Sequence, residues 1–214
     1  MMSPAHHEKL SPRGYESASA CCHHADMNAA IRRLFPRCPP NARILDAGCG
    51  NGVLAGTLLK EGFRVTGIDV SQTGIDLCRR AYPDGVFHLA SVSDDHFVDL
   101  VGTGYDLIIS AEVIEHLYSP AAFLKNCRQA LSDGGSLIIT TPYHGYLKNL
   151  LLALKNGMDH HFQPCVEGGH IKFWSKTTLY AALRAAGFQP SAFAGIGRIP
   201  GLWKSMIVRS EKTA

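Results

Sequence analysis

Residues 42–52 read ARILDAGCGNG, a short apolar strand running straight into a turn with three glycines, and they constrain this chain more than any other stretch. Glycine at 48, 50 and 52 lets the backbone turn tightly and come close to a ligand that any Cβ would hold away. The next apolar run, residues 63–69 (FRVTGID), ends on Asp69. A carboxylate at the tip of a second strand is placed to accept both hydroxyls of a ribose. The pair points to a nucleoside-binding α/β protein.

The spacing narrows the ligand. A dinucleotide fingerprint reads G-x-G-x-x-G, whereas these glycines alternate strictly, and no Gly-Lys-Ser/Thr follows to make a phosphate-binding loop. Asp46-x-Gly48-x-Gly50-x-Gly52, with Val65-Thr-Gly-Ile-Asp69 after it, resembles the first motif of the class I S-adenosylmethionine (SAM) methyltransferases. These bind a nucleoside with an amino-acid tail and no phosphate. The resemblance implies a Rossmann-like α/β fold with a mostly parallel seven-stranded sheet and helices on both faces. It also implies cofactor contacts from Asp46, Gly48, Cys49, Gly50, Gly52, Asp69, Val70, Ser91, Val92 and Ala111.

A chain of 214 residues suits one domain with a substantial core. A net charge of +3 is too small to argue for nucleic acid, and aromatic side chains without a basic stripe do not make a stacking platform. No apolar run is long enough to span a bilayer, and the N-terminus has no apolar signal core. The cysteines at 21, 22, 38, 49, 78, 127 and 165 lack zinc-type pairing, so a reduced, cytoplasmic setting is expected. Residues 1–23 read as a disordered leader and 24–214 as the methyltransferase domain. Within that leader the cluster Cys21-Cys22-His23-His24 reads as a solvated segment, because adjacent side chains cannot all face one ion.

Apolar spacing predicts a helix over 24–35, stopped by Pro36 and placed to cap the ligand site. Strand and helix then alternate as far as the fifth strand at 134–141. One segment breaks the rhythm. Residues 142–175 form a connector of roughly thirty residues, where about 4–6 are usual. It carries Tyr143, His144, Tyr146, an apolar set at Leu147, Leu150, Leu151 and Leu154, then His160, His161, His170 and Trp174. We expect it to be an acceptor-side lid, with Tyr143, Tyr146, Phe162, Trp174 and Trp203 lining an apolar pocket. The leucine stripe, flanked by Lys148 and Lys155, also has the composition of an interfacial helix, so peripheral membrane contact through 147–154 is a second reading.

Ligands in open α/β sheets bind beyond the carboxyl ends of the strands. After the third strand, where many of these methyltransferases place an acid near the adenine, this chain has Ala90-Ser-Val-Ser93. After the fourth strand comes Glu112-Val-Ile-Glu115-His116. In the first turn of a helix, positions 112, 115 and 116 share one face. Two carboxylates and an imidazole there suit Mg²⁺ or Mn²⁺ better than Zn²⁺, and His170 is the candidate for a fourth ligand.

This motif, together with His170-Ile-Lys-Phe-Trp174, resembles two O-methylating groups. One is the ubiquinone-biosynthesis O-methyltransferases; the other is the small-RNA 3′-terminal 2′-O-methyltransferases, which gather two Glu and two His around Mg²⁺. The resemblance implies Glu112, Glu115, His116 and His170 as metal ligands. Glu-x-x-Glu-His also occurs in methyltransferases that use no metal, where the imidazole serves as base; His116 and His144 are then the catalytic candidates. The expected activity is SAM-dependent O-methylation of a small, fairly apolar or aromatic hydroxylated metabolite. The rivals are an N- or C-methyltransferase without metal, a catalytically silent SAM-binding protein, and an NAD(P)-binding oxidoreductase, which the glycine spacing disfavours.

Overall fold

The computed structural model describes residues 22–162, 164–197 and 199–213, and of residues 22–26 the backbone alone. Of the segment 1–23 expected to be disordered, residues 1–21, with Cys21 of the 21–24 cluster, lie outside the described residues, and residues 22 and 23 begin the first helix.

The elements are α1 (Cys22–Leu34), β1 (Arg43–Ala47), α2 (Val53–Lys60), β2 (Arg64–Asp69), α3 (Gln72–Ala81), β3 (Val86–Leu89), α4 (Phe97–Val101) and β4 (Tyr105–Ala111). A single 3-10 turn (Ile114–His116) follows, then α5 (Pro120–Ala130), β5 (Leu131–Pro142), α6 (Tyr146–Leu154), α7 (Met158–Phe162), α8 (Lys176–Ala185), β6 (Phe188–Ile196) and β7 (Ser205–Lys212). The sheet order is β3-β2-β1-β4-β5-β7-β6. The first five strands in that order pair in parallel, and β7 runs antiparallel to both β5 and β6. The expected seven-stranded, mostly parallel sheet is therefore present.

Each central strand feeds two cores. Successive strand side chains point to opposite faces, so Leu45, Ile108, Leu137 and Ile139 join Phe97, Phe123, Leu179 and Leu183 on one face. Ile44, Leu107, Ile109 and Ile138 join Met27, Ile31, Leu58 and Ile75 on the other. That is why the strands read as unbroken apolar runs. Each such side chain contributes roughly 1.5–3 kcal/mol when fully buried. Local sequence closes the helix ends: the Ser71 hydroxyl accepts from Gly74 N, and Ser175 and Thr178 form a reciprocal capping box before α8.

The order of strands fixes the site. From β1 the chain moves outward to β2 and β3, and from β4 the other way to β5. Their C-terminal ends therefore part at a crevice between β1 and β4, the topological switch point. Met27, Ala30 and Ile31 of α1 share one buried cluster with Cys49 of the glycine loop, Ile196 of β6 and Ile207 of β7. Among the described residues no helix is long and apolar enough to cross a membrane.

Candidate active site

The loop after β1 is built on left-handed backbone. Gly48, Gly50 and Gly52 have φ of 90°, 53° and 78°, a region that costs other residues energy. The space is closed as well. A Cβ at Gly48 would collide with Val113, and one at Gly52 would sit 2.7 Å from Cys78 Sγ.

Backbone bonds hold the turn. Gly48 N and Cys49 N both donate to Ile68 O, at 2.8 and 3.0 Å. Asp69 accepts Gly50 N on Oδ2 and Ser71 N on Oδ1, each at 2.8 Å. The acid thus ties the loop and the start of α3 together, with one lone pair left on each oxygen. Asp46 is buried and Ala55 N donates to it. Burial, then the charge of Asp69, pushes its carboxyl up to about 7. Its Oδ2 has no hydrogen-bond partner.

The other expected cofactor residues fall around this crevice with different faces available. Val70 is 72% exposed, which leaves an apolar surface just past β2. The Ser91 hydroxyl accepts from Ser93 N, and Val92 is buried with its carbonyl accepting from Asn126 Nδ2. Ala111 is half-buried at the end of β4. Cys49 is buried and its sulfur faces Gly67 and Cys78, so only its main chain is available to a ligand.

On the other side of the crevice the expected helical turn does not form. Glu112 adopts φ of 55°, a left-handed conformation rare for a residue with a Cβ and typical of strained functional positions. Its N–H donates to both the carbonyl and the hydroxyl of Thr140, each at 3.1 Å. That kink breaks the i, i+3, i+4 phase, and a 3-10 turn replaces the helix. Glu115, His116 and His170 come together, with one ligating atom from each lying within 4.8 Å of the others. Glu112 is not part of that group: its Oε2 accepts from Ser205 Oγ at 3.3 Å.

Support behind the cluster is well defined. Thr141 Oγ1 donates to Glu115 Oε2 at 2.9 Å, leaving Oε1 buried without a hydrogen-bond partner. The connector is strapped to the same residue, since Ile171 N and Lys172 N both donate to Glu115 O at 2.9 Å. His116 Nδ1 lies 3.1 Å from Gly169 O. A carbonyl accepts only, so Nδ1 carries the proton and Nε2 keeps its lone pair. Burial, then the charge of Glu112, pushes the Glu115 carboxyl up to about 8. Burial raises Glu112 to about 7 against the hydrogen bonds of Thr140 and Ser205 and the charge of Lys148.

Beside the carboxylates is a cavity of about 280 Å³ lined by Glu112, His144, Lys148, His161, Phe162 and Phe173, among others. Of the aromatic wall expected, Phe162 lines this cavity. Phe162 and Phe173 pack edge to face at 4.7 Å with His144 against both. Tyr143 packs instead on Trp203, Trp203 on Phe193, and Trp174 on the core. Tyr146 is 83% exposed. A wider groove of about 460 Å³ between α5 and α8 is lined largely by alanines and holds no acid and no histidine.

Sequence reasoning missed Thr141, Phe173 and Ser205, and noted Lys148 and His161 without placing them in the site. Lys148 was the flank of an apolar stripe, yet it is the residue of α6 that turns inward, at 5% exposure. Of the stripe, Leu147, Leu150 and Leu154 are 46%, 40% and 73% exposed, while Leu151 is half-buried.

A glycine cradle with a strand-end acid, at the switch point of a sheet in this order, is the architecture of nucleoside-dependent methyl transfer. The methyltransferase domain family matches residues 22–191, and the chain belongs to it as a class I SAM-dependent methyltransferase. Two of its relatives are ubiquinone biosynthesis O-methyltransferases. That of Vibrio parahaemolyticus is 31% identical over 115 residues, 52% of this chain and 48% of its own length. That of Roseobacter denitrificans is 31% identical over 164 residues, 75% of this chain and 65% of its own. The chain thus spans about half to two thirds of the length of these relatives. In fold it is similar to magnesium protoporphyrin IX methyltransferase of Synechocystis PCC 6803, solved with S-adenosylhomocysteine bound. The TM-score is 0.63 at 18% identity, covering 89% of this chain and 82% of that one.

Proposed function

We propose that this chain transfers the methyl group of SAM to a hydroxyl of a small, fairly apolar or aromatic acceptor, assisted by Mg²⁺ or Mn²⁺. One observation supports this reading above the others. Two buried carboxyls, each with an oxygen lacking a hydrogen-bond partner, stand beside two histidines at the rim of an aromatic-walled cavity. Natural proteins seldom leave such groups unsatisfied, and a divalent cation would complete them. The names of the curated relatives agree with an oxygen acceptor.

The cofactor fits the left-handed glycine turn at 48–52, which Asp69 holds at the strand ends. Main-chain groups of 48–52 would hold it, with the remaining lone pairs of Asp69 on the ribose. Val70, Ser91, Val92 and Ala111 would border the adenine, and Asp46 stands behind the loop with one oxygen lacking a hydrogen-bond partner. When bound, SAM supplies a methyl already activated on a sulfonium. The chain must place the acceptor oxygen in line, exclude water and deal with its proton.

Glu115, His116 and His170 would hold the cation, with Glu112 adjoining, and its chemistry there is to lower the pKa of a bound hydroxyl. Burial and the nearby charges of Lys148, His161 and His170 push His144 down to about 4. It therefore stays neutral at ordinary pH, with Nδ1 lacking a hydrogen-bond partner. The 142–175 connector forms the acceptor side, and its outward leucines give α6 a surface for peripheral membrane contact. Five free thiols among the described residues, Cys38, Cys49, Cys78, Cys127 and Cys165, agree with a reducing cytoplasmic setting.

Calorimetry with S-adenosylhomocysteine and, separately, with Mn²⁺ tests the two halves. Mn²⁺ should bind the wild type and be lost in Glu115→Gln and His170→Ala, with nucleoside affinity kept. Turnover that survives exhaustive chelation removes the metal. A chain that ignores both SAM and S-adenosylhomocysteine sinks the whole reading.

A further inference from the structure

The start of α6 carries an unusual pair. Gly145 is the N-cap, so His144 stands just before the helix and Asn149 is its fourth residue. These two positions meet across the first turn, and in many helices both are apolar and staple the entering chain. Here both are polar and buried. Asn149 N donates to Gly145 O at 3.1 Å and its Nδ2 to His144 O at 3.4 Å, while His144 N donates to Trp174 O at 2.9 Å. Rings hold the imidazole as well: Phe162 stacks on it at 5.7 Å, and Phe173 and His161 stand at 5.1 and 5.4 Å.

Two buried atoms at this contact lack a hydrogen-bond partner of good geometry, His144 Nδ1 and Asn149 Oδ1. Burial first, then the charges of Lys148, His161 and His170, pushes His144 down to about 4, and Asn149 opposes that push as a hydrogen-bond acceptor does. Since Nδ2 is engaged by His144 O, the acceptor turned to the ring is Oδ1. A neutral imidazole donates from one nitrogen and accepts at the other. With the proton on Nε2, two lone pairs would face each other in a buried place. With the proton on Nδ1, one hydrogen bond satisfies both atoms, and buried polar groups are rarely left unmatched. The second arrangement leaves the Nε2 lone pair for the cavity that His144 lines.

Resting on the O-methyl-transfer reading above, we propose that Asn149 is a positioning residue that holds the His144 proton on Nδ1, so that Nε2 accepts a hydrogen bond from the acceptor's hydroxyl. The contact orients the oxygen, and no covalent bond changes in it. It also sets specificity. A methoxy group has no hydrogen to give, so the same nitrogen favours the hydroxylated substrate over its methylated product.

The test is ¹⁵N NMR of the imidazoles in the full chain with S-adenosylhomocysteine, the His144 signals being identified by their loss in His144→Gln. The wild type should show a protonated Nδ1 and a bare Nε2, and saturating catechol should move the Nε2 signal upfield as it accepts a hydrogen bond. Asn149→Leu should shift the tautomer balance toward Nε2–H about 10-fold, the scale of one buried hydrogen bond. Asn149→Asp, in alkaline buffer, should keep the Nδ1–H form. A merely structural asparagine would change stability and leave the tautomer alone, so an unaltered tautomer in folded Asn149→Leu overturns the proposal. Should that variant fail to fold, the wild type alone decides: Nε2–H as the main form, or an Nε2 signal indifferent to catechol, overturns it. Failure of the wild type to bind S-adenosylhomocysteine, or methylation confined to nitrogen or carbon acceptors, defeats the underlying reading instead.

Discussion

The two sides of the crevice are built on opposite plans. On the cofactor side, the loop at 48–52 is closed by bonds to Ile68 and Asp69, and Asp69 in turn is held by Ser71. Its partners are near in sequence, and nearly every polar group is satisfied before any ligand arrives. On the acceptor side, Ser205 reaches Glu112, Lys148 reaches the carbonyl of Lys204, and His116 reaches Gly169. Oxygens of Glu112 and Glu115 and a nitrogen of His144 are left without hydrogen-bond partners. One side is a preformed cradle. The other is a frame that its ligands complete.

The sharpest way to break that contrast is Gly48→Ala. The position is left-handed at φ 90° and packed against Val113, so strain and overpacking together should cost about 2–5 kcal/mol. Thermal melts should fall, and S-adenosylhomocysteine binding should vanish in calorimetry. A variant with wild-type affinity would mean that the loop is looser than its geometry implies. Next comes Asp69→Ala, which removes the acceptor of two backbone N–H groups and the proposed ribose contact. Cofactor affinity should drop about 10-fold or more with acceptor-side Mn²⁺ binding unchanged. Equal affinity would put the ribose elsewhere.

The same contrast explains what could be read from the chain itself. Glycine alternation, strand, turn and acid all fall within residues 42–69, so local sequence spells out their geometry. The sheet was equally legible, because strands buried on both faces need unbroken apolar runs. The acceptor side was legible only in composition. Nothing in a linear spacing shows that Glu112 adopts a left-handed φ, so the helical phase drawn through 112, 115 and 116 failed while Glu115, His116 and His170 still met. Helical periodicity identified the stripe on α6 correctly and put the wrong face inward. A buried ammonium satisfied by distant carbonyls overrides an apolar pattern, and those carbonyls belong to residues 143 and 204.

Titration separates the two sides by sign. Asp46 rises in the fold from an ordinary 3.8 to about 7. The stability it contributes is complete below pH 4 and is lost as pH climbs through 7. His144 falls from 6.5 to about 4, so its contribution is complete above pH 6.5 and is lost as pH drops through 4. Each full swing is roughly 3–4 kcal/mol. In denaturant melts across pH, Asp46→Asn should gain on the wild type above neutrality and match it near pH 4. His144→Gln should flatten the acid limb alone. Parallel curves for either variant would show that its group titrates normally in the fold.

The smallest effect on the fold belongs to the outward leucines of α6. Because Leu147, Leu150 and Leu154 keep 46%, 40% and 73% of their surface in water, changing all three to serine removes little buried area. Each change should stay within about 0.5 kcal/mol of neutral. Lys148, which anchors the helix from its inner face, is untouched by these changes, so the cavity beside Glu112 should be preserved. Sedimentation with vesicles should nevertheless fall, since interfacial binding scales with the apolar area a helix can offer. If the triple variant sediments like the wild type, α6 has no role at a membrane. If instead it melts far below the wild type, the leucines are packed more deeply than their exposure indicates, and they serve as the lid expected for this connector.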